Sequence, residues 1–322
     1  MALPVTVLKY VGRRVLGVAI TLLVASFLVF ASLYVAPGDP VDFLTQGRTL
    51  SPEAMASLRE QYGLDDPFFV QYLHWLSGVL HGDLGTSFQF RDDVTTLIGA
   101  RLGTTLTLMV MSAVLITVVG LTAGIIGSLN AGRAADRLLL VMTTFLAAVP
   151  SFIAAILLIS VFAVRLGWFP TFGGGEGFVD RIYHLTLPAI ALSLTFVALV
   201  SRVTRSAMLE ELGREHVEVA TSRGVPRRTV VRRHVLRNAL GPIMTVSGIL
   251  VAGLLVSSAI VESAFGLSGL GSLLIQSVDK SDFPVVQAIT LIVVGAFVLV
   301  NLLVDLLQPL IDPRTLAGEA GR

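Results

Sequence analysis

Six long apolar stretches constrain the fold more than any other feature of this sequence. None of them contains Asp, Glu, Lys, Arg or His. A transmembrane α-helix needs about 20 mostly apolar residues, because the hydrocarbon core of a bilayer is about 30 Å thick. The pattern therefore predicts an all-α membrane protein with six transmembrane helices. The predicted spans are Val15–Val35, Leu102–Leu129, Leu138–Val164, Leu185–Val200, Pro242–Val261 and Val285–Val304.

The composition agrees with a membrane protein and narrows the chemistry that the chain can perform. Hydrophobic residues make up 54% of the 322 residues and charged residues only 14%, whereas ordinary soluble domains carry about 25% charged residues. The mean hydropathy is +0.83. The chain has no cysteine, so disulfides, iron–sulfur clusters and thiolate metal sites are excluded.

The distribution of basic residues predicts the orientation of the spans, since short cytoplasmic loops are enriched in Lys and Arg. Basic residues precede the first span at residues 9–14 and follow the second span at 133–137. The loop at 202–237 has nine Arg against four Glu, whereas residues 36–101 have nine Asp and Glu against four Arg. We therefore expect residues 36–101 outside the cytoplasm and both termini inside it.

This topology predicts three parts of the chain. Residues 1–36 would form a cytoplasmic N-terminus and the first transmembrane helix. Residues 37–101 would form a helical extracytoplasmic segment, in which the spacing of aromatic and aliphatic residues from Phe68 to Gly85 indicates a helix. Residues 102–322 would form a five-helix core with a cytoplasmic loop at about 202–241.

Some glycines and prolines indicate local structure. Gly120 and Gly124 form a G-x-x-x-G pattern, which allows close helix packing. Pro150 and Pro188 can kink a helix. Such kinks could shape a transport pathway, or they could be local structural features without a role in transport. The sequence GLSGLG at Gly266–Gly271 follows no strand of a βαβ unit, so we interpret it as a flexible extracytoplasmic loop rather than a nucleotide site.

The basic loop after the fourth span has the pattern of two short amphipathic helices separated by Gly224 and Pro226. One interpretation is a helix pair lying on anionic lipid. Another is a nucleic-acid site, although aromatic side chains for base stacking are absent. The third is a docking element for a soluble partner. Surface electrostatics alone would not require a glycine between two helices, so the glycine favours docking.

The residues of this loop resemble a known family. Glu218-x-Ala220-x-x-x-Gly224 is similar to the E-A-A-x-x-x-G loop of binding-protein-dependent ABC importer permeases. The flanking sequences resemble the dipeptide/oligopeptide/nickel permease subfamily, in its longer-ectodomain type, along nearly the whole chain. They are YVGRRVLG, APGDPV, YGLDDPFFVQYLHWLSGVLHGDLGTSF, RVTRSAMLEELG, RRHVLRNALGP, VESAFGLSGLGSLLIQSVDKSDFPVVQA and VDLLQPLIDPR. Val219 in place of Ala, and Gly241 before Pro242, depart from the family pattern.

The resemblance implies a type I ABC importer permease fold and a set of partners. These are a second homologous permease, two ATPase subunits that bind ATP and Mg²⁺, an extracytoplasmic substrate-binding protein and membrane lipid, with no nucleic acid. The substrates would be di- or oligopeptides or related solutes, and the location a prokaryotic inner or plasma membrane. Gly224 would permit a tight turn and Ala220 a close approach to an ATPase. The implied ATPase-coupling residues are Glu215, Glu218, Ala220, Arg223, Gly224, Arg227 and Arg228.

The chain has no G-x-x-x-x-G-K-[ST] motif, so ATP hydrolysis is expected in separate subunits and the chain itself is not expected to be an enzyme or to hold a cofactor or metal. The spans offer no ionisable group for proton coupling. A sodium-coupled secondary transporter or a channel remains the alternative. Asn301, the most polar residue of the sixth span, is expected to form an interhelical hydrogen bond.

Overall fold

The computed structural model describes residues 3–35, 51, 53 and 66–311. The helices in these ranges are α1 (Leu3–Val35), α2 (Phe68–Leu80), α3 (Val94–Leu129), α4 (Ala134–Ala148), α5 (Ser151–Arg165), α6 (Gly177–Leu212), α7 (Glu215–Ser222), α8 (residues 227–264), α9 (Leu270–Asp279) and α10 (Phe283–Ile311). The predicted all-α class is therefore confirmed for the described part of the chain.

Helix α6 is the centre of the bundle. It packs against α3, α4, α5 and α8. In its most apolar stretch of 18 residues 61% of the residues are buried, whereas the corresponding stretches of α1 and α10 are each 11% buried. Its inward residues are small or aliphatic, including the fully buried Leu185, Ala189 and Leu192. Helices α1 and α10 pack against each other at the edge of the bundle.

The predicted spans all fall on helices, but the helices are not six simple rods. Four helices are long and apolar enough to cross a membrane, or five if the bent pair α4–α5 counts as one span, among the residues described. The predicted fifth span, Pro242–Val261, lies within the continuous helix α8. The count of six spans therefore stays a prediction.

The third predicted span bends by 99° between α4 and α5. Val149 has an extended backbone (φ −87°, ψ 114°), as expected before a proline, whose ring disfavours a helical conformation in the preceding residue. Pro150 therefore breaks the span, whereas Pro188 lies inside the continuous helix α6. The structure thus has a break at Pro150 and a continuous helix at Pro188, and a role of either proline in shaping a pathway stays a prediction.

The G-x-x-x-G pattern is a helix-packing surface. A Cβ atom added at Gly124 would lie 2.5 Å from Cβ of Thr204 and 2.7 Å from the carbonyl oxygen of Ser201. At Gly120 it would lie 3.0 Å from Cβ of Val200. The two glycines thus let α3 lie against α6 at a separation that any side chain would increase, and the predicted close packing is confirmed.

The helix predicted from Phe68 is confirmed as α2, and it lies on α1. The Tyr72 hydroxyl is 2.9 Å from the Ser26 hydroxyl, and the Tyr72 ring meets that of Phe27 edge to face at 5.4 Å. The Trp75 ring lies 5.4 Å from that of Phe30. Within the predicted segment 37–101, residues 37–50, 52 and 54–65 lie outside the described residues.

The GLSGLG sequence is a packed corner rather than the flexible loop that the sequence predicts. Both carboxylate oxygens of the buried Glu262 are used: one accepts from the Thr105 hydroxyl at 2.7 Å and the other from the backbone N–H of Ser272 at 2.9 Å. The Thr105 hydroxyl oxygen accepts from the N–H of Leu270 at 2.8 Å. These groups cap the N-terminus of α9, where backbone N–H groups lack helical partners. A Cβ on Gly271 would overlap the backbone of Ala259.

Candidate functional site

The helix–Gly–helix segment forms a short arm at one end of α6. Helix α7 begins three residues after α6 ends and presents one apolar face to the protein. On that face Val217 is 5% exposed and Ala220 is 8% exposed. They belong to a cluster with Met208 of α6 and with Val230 and Val235 of α8. Apolar burial thus fixes α7 against both neighbouring helices.

The turn after α7 requires glycine for its conformation. Gly224 has φ +74°, a left-handed conformation that costs other residues roughly 1–2 kcal/mol. Its N–H donates to the carbonyl of Thr221 at 3.0 Å, and the N–H of Val225 donates to that of Ala220 at 3.2 Å. A Cβ at Gly224 would meet nothing within 4 Å. The predicted break at Gly224 is confirmed, and the reason for it is the backbone angle.

We call the exposed side of α7 and the following turn the outer face of the arm. Six of the seven coupling residues predicted from the resemblance are exposed: Glu215, Glu218, Arg223, Gly224, Arg227 and Arg228. Ala220 points inward instead, so the close approach that its small side chain allows is between α7 and the other helices of the same chain. Val219 occupies the outward position beside it and is 48% exposed.

A buried carboxylate that the sequence analysis did not single out fastens the arm. Glu211, at the end of α6, has one oxygen 3.1 Å from Nε of Arg214. Its other oxygen accepts from Nδ2 of Asn238 at 3.3 Å and lies 3.8 Å from Nε2 of His216. The hydrogen bond with Glu210, and then the charge of Glu211, raise the pKa of the Arg214 guanidinium. Glu211 thereby joins α6 to α7 and α8.

A second ion pair braces the same end of the bundle. The carboxylate oxygens of Asp136, in the first turn of α4, accept from Nε and Nη2 of Arg205 in α6 at 2.6 and 2.8 Å. One of those oxygens also accepts from the N–H of Gly132 at 2.9 Å. Such paired bonds between a carboxylate and a guanidinium fix orientation as well as distance. Sequence alone offered no sign of this pair, since 69 residues separate its partners.

The start of α8 is π-helical at Val230–Leu236. In a π-helix the residues five apart share a face, and Val230 and Val235 are both buried in the cluster under α7. The opposite side carries an open cleft of about 450 Å³ lined by arginines and one threonine. The lining residues are Arg228, Thr229, Arg232, Arg233 and Arg237.

The outer face of the arm is a surface of mixed charge. The outer face offers two carboxylates, an apolar side chain and several guanidinium groups around a fixed turn. Within residues 3–35 and 66–311, together with 51 and 53, no three His, Asp or Glu side chains are grouped to hold a metal ion. The arrangement can present a rigid, mixed-charge surface to another macromolecule.

Comparisons with known proteins identify a family for nearly the whole chain. Residues 116–317 match the family described as "Binding-protein-dependent transport system inner membrane component". Residues 7–109 match the N-terminal region described for such membrane components.

Curated relatives are similar to this chain over almost their full length. A putative peptide permease protein of Brucella ovis is 39% identical over 314 residues, covering 95% of this chain and 98% of the relative. The glutathione transport system permease protein GsiC of Escherichia coli K12 is 37% identical over 306 residues, with the same coverage of 95% and 98%. A probable peptide ABC transporter permease protein of Sinorhizobium fredii is 33% identical over 308 residues, covering 95% and 98%.

Solved structures share the fold. A chain of the MetNI methionine ABC transporter in an inward-facing conformation superimposes with a TM-score of 0.56 at 20% identity, covering 67% of this chain and 96% of that one. A chain of an amino acid ABC transporter with histidines gives a TM-score of 0.53 at 21% identity, covering 66% and 94%.

Proposed function

The chain belongs to the family of binding-protein-dependent transport system inner membrane components, and from this premise we propose that it is a permease subunit of an ATP-driven ABC importer. Its curated relatives carry the names of peptide and glutathione permeases. Glutathione is itself a short peptide, so these names support di- or oligopeptides, or closely related solutes, as the transported class.

The partners in this proposal are a second homologous permease, two ATPase subunits and an extracytoplasmic substrate-binding protein. ATP and Mg²⁺ would bind to the ATPase subunits, and this chain would contribute to the translocation pathway without being an enzyme. The basic loops support a cytoplasmic location for both termini and for the loop at about 202–241. Residues 37–101 would then face the substrate-binding protein, and residues 102–322 would form the core in a prokaryotic inner membrane.

The outer face of the arm is the proposed docking surface for an ATPase subunit. The observation that carries this assignment is the contrast between the two sides of α7: Val217 and Ala220 are buried, while Glu218 and Val219 are exposed. A side chain that already serves the chain's own packing is not available to a partner. Glu215, Glu218, Val219 and Arg223 are available, with Arg227 and Arg228 beyond the Gly224 turn.

The attachments of the arm support a mechanism of rigid-body coupling. Glu211 of α6 contacts His216 of α7 and Asn238 of α8, and α8 continues through residues 227–264 toward the membrane. A movement of a docked ATPase would therefore displace α6 and α8 together, because a packed interface shifts as a unit. Since α6 contacts most of the bundle, such a displacement would reach the pathway.

A charge reversal on the outer face tests the proposal. We expect Glu218→Lys to abolish recovery of a P-loop ATPase with this chain from mild detergent, and to reduce peptide uptake at least tenfold, while the amount of chain in the membrane stays normal. Glu176→Lys is the matched control, because Glu176 is exposed before α6 and far along the chain from the arm.

Two outcomes would contradict the proposal. Normal ATPase recovery with Glu218→Lys would remove the outer face as the docking surface. Uptake that persists without any ATPase subunit and follows a sodium gradient would instead support a secondary transporter.

A further inference from the structure

A cavity lies between the two edge helices, and no residue of the arm lines it. It has a volume of about 540 Å³ and is formed by the first part of α1 and the last part of α10. This volume is within the range of about 300–1,000 Å³ that is usual for ligand sites. The apolar part of α1 begins at Val15 and that of α10 ends at Val304. The cavity therefore lies where both helices leave the apolar layer of the membrane.

The rim of the cavity is polar and ordered. Nη1 of Arg14 is 3.0 Å from a carboxylate oxygen of Asp305, and the Tyr10 hydroxyl donates to the backbone carbonyl of Asp305 at 2.9 Å. The Arg14 guanidinium also lies over the Tyr10 ring, 5.3 Å from its centroid. These contacts join α1 to α10 and hold the rim in one arrangement.

The rim carries one positive charge that the described residues do not balance. The charges of Arg14 and Asp305 offset each other, whereas Arg13 is exposed and forms no ion pair with a residue in the described ranges. Both arginines line the cavity. A single anionic group at this rim would therefore meet Arg13 directly and have Arg14 close by.

The deeper wall of the cavity is mostly apolar. Most of it is formed by Gly17, Val18, Phe297, Val298 and Leu302, together with Thr21, whose hydroxyl donates to the carbonyl of Gly17 in the same helix at 2.9 Å. Asn301 also lines it, but its Nδ2 donates to the carbonyl of Phe297 at 2.8 Å in the same helix, rather than to another helix as the sequence analysis expects. A cationic rim above a mostly apolar wall is complementary to an anionic phospholipid, whose phosphate would lie at the rim and whose acyl chains would lie along the wall.

We propose that this cavity binds an anionic phospholipid, with the phosphate at Arg13 and an acyl chain along Gly17, Phe297 and Leu302. The position at the boundary of two membrane helices favours a lipid over a soluble anion, because basic pockets between transmembrane helices recognise lipid headgroups. The bound lipid would reinforce the contact between α1 and α10. This assignment is independent of the docking surface, since it uses no residue of the arm.

The test measures lipid retention by the full-length chain in detergent, using native mass spectrometry with added phosphatidylglycerol or phosphatidylcholine. We expect preferential retention of phosphatidylglycerol. Arg13→Gln should weaken its binding about fivefold, as for removal of one basic side chain from an anionic surface. Arg133→Gln is the charge-matched control on an exposed loop outside the cavity and should leave binding unchanged.

A steric variant separates occupancy of the cavity from general charge attraction. Gly17→Leu would place a side chain in the cavity, and a Cβ there meets no atom within 4 Å, so the variant should fold and lose the lipid. Gly12→Leu is the matched control on the same helix: Gly12 is equally open and is not part of the lining.

Three results would overturn the assignment. One is an equal loss of phosphatidylglycerol binding in Gly17→Leu and its control Gly12→Leu, or in Arg13→Gln and its control Arg133→Gln. Another is displacement of the lipid by millimolar inorganic phosphate, which would indicate a soluble anion site. The third is disappearance of lipid binding once a second permease chain is bound, which would assign the cavity to a protein interface.

Discussion

Gly224 follows the short helix α7 and Gly271 lies in the first turn of the short helix α9, but the two glycines meet different structural requirements. Gly224 has φ +74°, and a Cβ there would meet nothing within 4 Å. Gly271 is buried and needs no unusual backbone angle, but a Cβ there would overlap the backbone of Ala259. The first glycine allows a turn at an exposed surface, and the second allows two helices to meet. In our proposal the exposed turn serves docking, whereas the buried corner serves the stability of the fold.

The largest expected effect is at the buried corner. Gly271→Ala forces a backbone shift in a filled space, so we expect a loss of about 3 kcal/mol in the free energy of unfolding, measured as a lower thermal transition of the detergent-solubilised chain. Gly295→Ala in α10 is the control, because a Cβ there is unobstructed and should leave stability unchanged or slightly improved. Equal behaviour of the two variants would contradict the packing account of Gly271.

A smaller effect on stability, with a larger effect on coupling, is expected at the exposed turn. Gly224→Ala should cost about 1 kcal/mol, since only backbone strain opposes it, but should reduce stimulation of the ATPase by transported peptide. Gly224→Asn should restore much of that stimulation, because Asn tolerates the left-handed conformation better than Ala. An alanine variant with full stimulation would show that the geometry of the turn is not needed for docking.

Two neighbouring carboxylates at the end of α6 provide a third comparison, in which the expected effect on stability is no larger than that of Gly224→Ala. Glu211→Gln removes a charge from the buried hub and should lower uptake severalfold while costing about 1 kcal/mol of stability. Glu210→Gln removes only an exposed pair with Arg214, in which the Glu210 side chain is 71% exposed, and should change neither by a measurable amount. Reversal of this order would contradict the assignment of Glu211 as the residue that positions the arm.

Much of the fold follows from local sequence, because each apolar stretch carries its own signal. The helices, the break at Pro150, the contact through Gly120 and Gly124 and the turn at Gly224 were all predictable in this way. The corner at Gly269 and Gly271 was not, because the residues that fill it, Thr105 and Glu262, are brought together only by folding.

The candidate site shows the same division between local and long-range information. The resemblance to the family motif predicted where in the sequence the arm lies. The motif does not indicate which of its side chains face outward. Because residues three apart in a helix share a face, Ala220 lies on the same inner face as the buried Val217. Val219 then lies on the outer face. The contacts of Glu211 with Asn238 and of Asp136 with Arg205 could not be read from local sequence, because 27 and 69 residues separate the partners.

Cross-linking from adjacent positions of α7 tests the central claim most directly. The chain has no cysteine, so Val219→Cys and Ala220→Cys each provide a single thiol for a short bifunctional cross-linker. With the ATPase subunits present, we expect the thiol at position 219, which is 48% exposed in the native chain, to cross-link to an ATPase, and the thiol at 220, which is 8% exposed, to give none. Cross-linking from 220 and not from 219, or from neither while the ATPase is bound, would contradict the account.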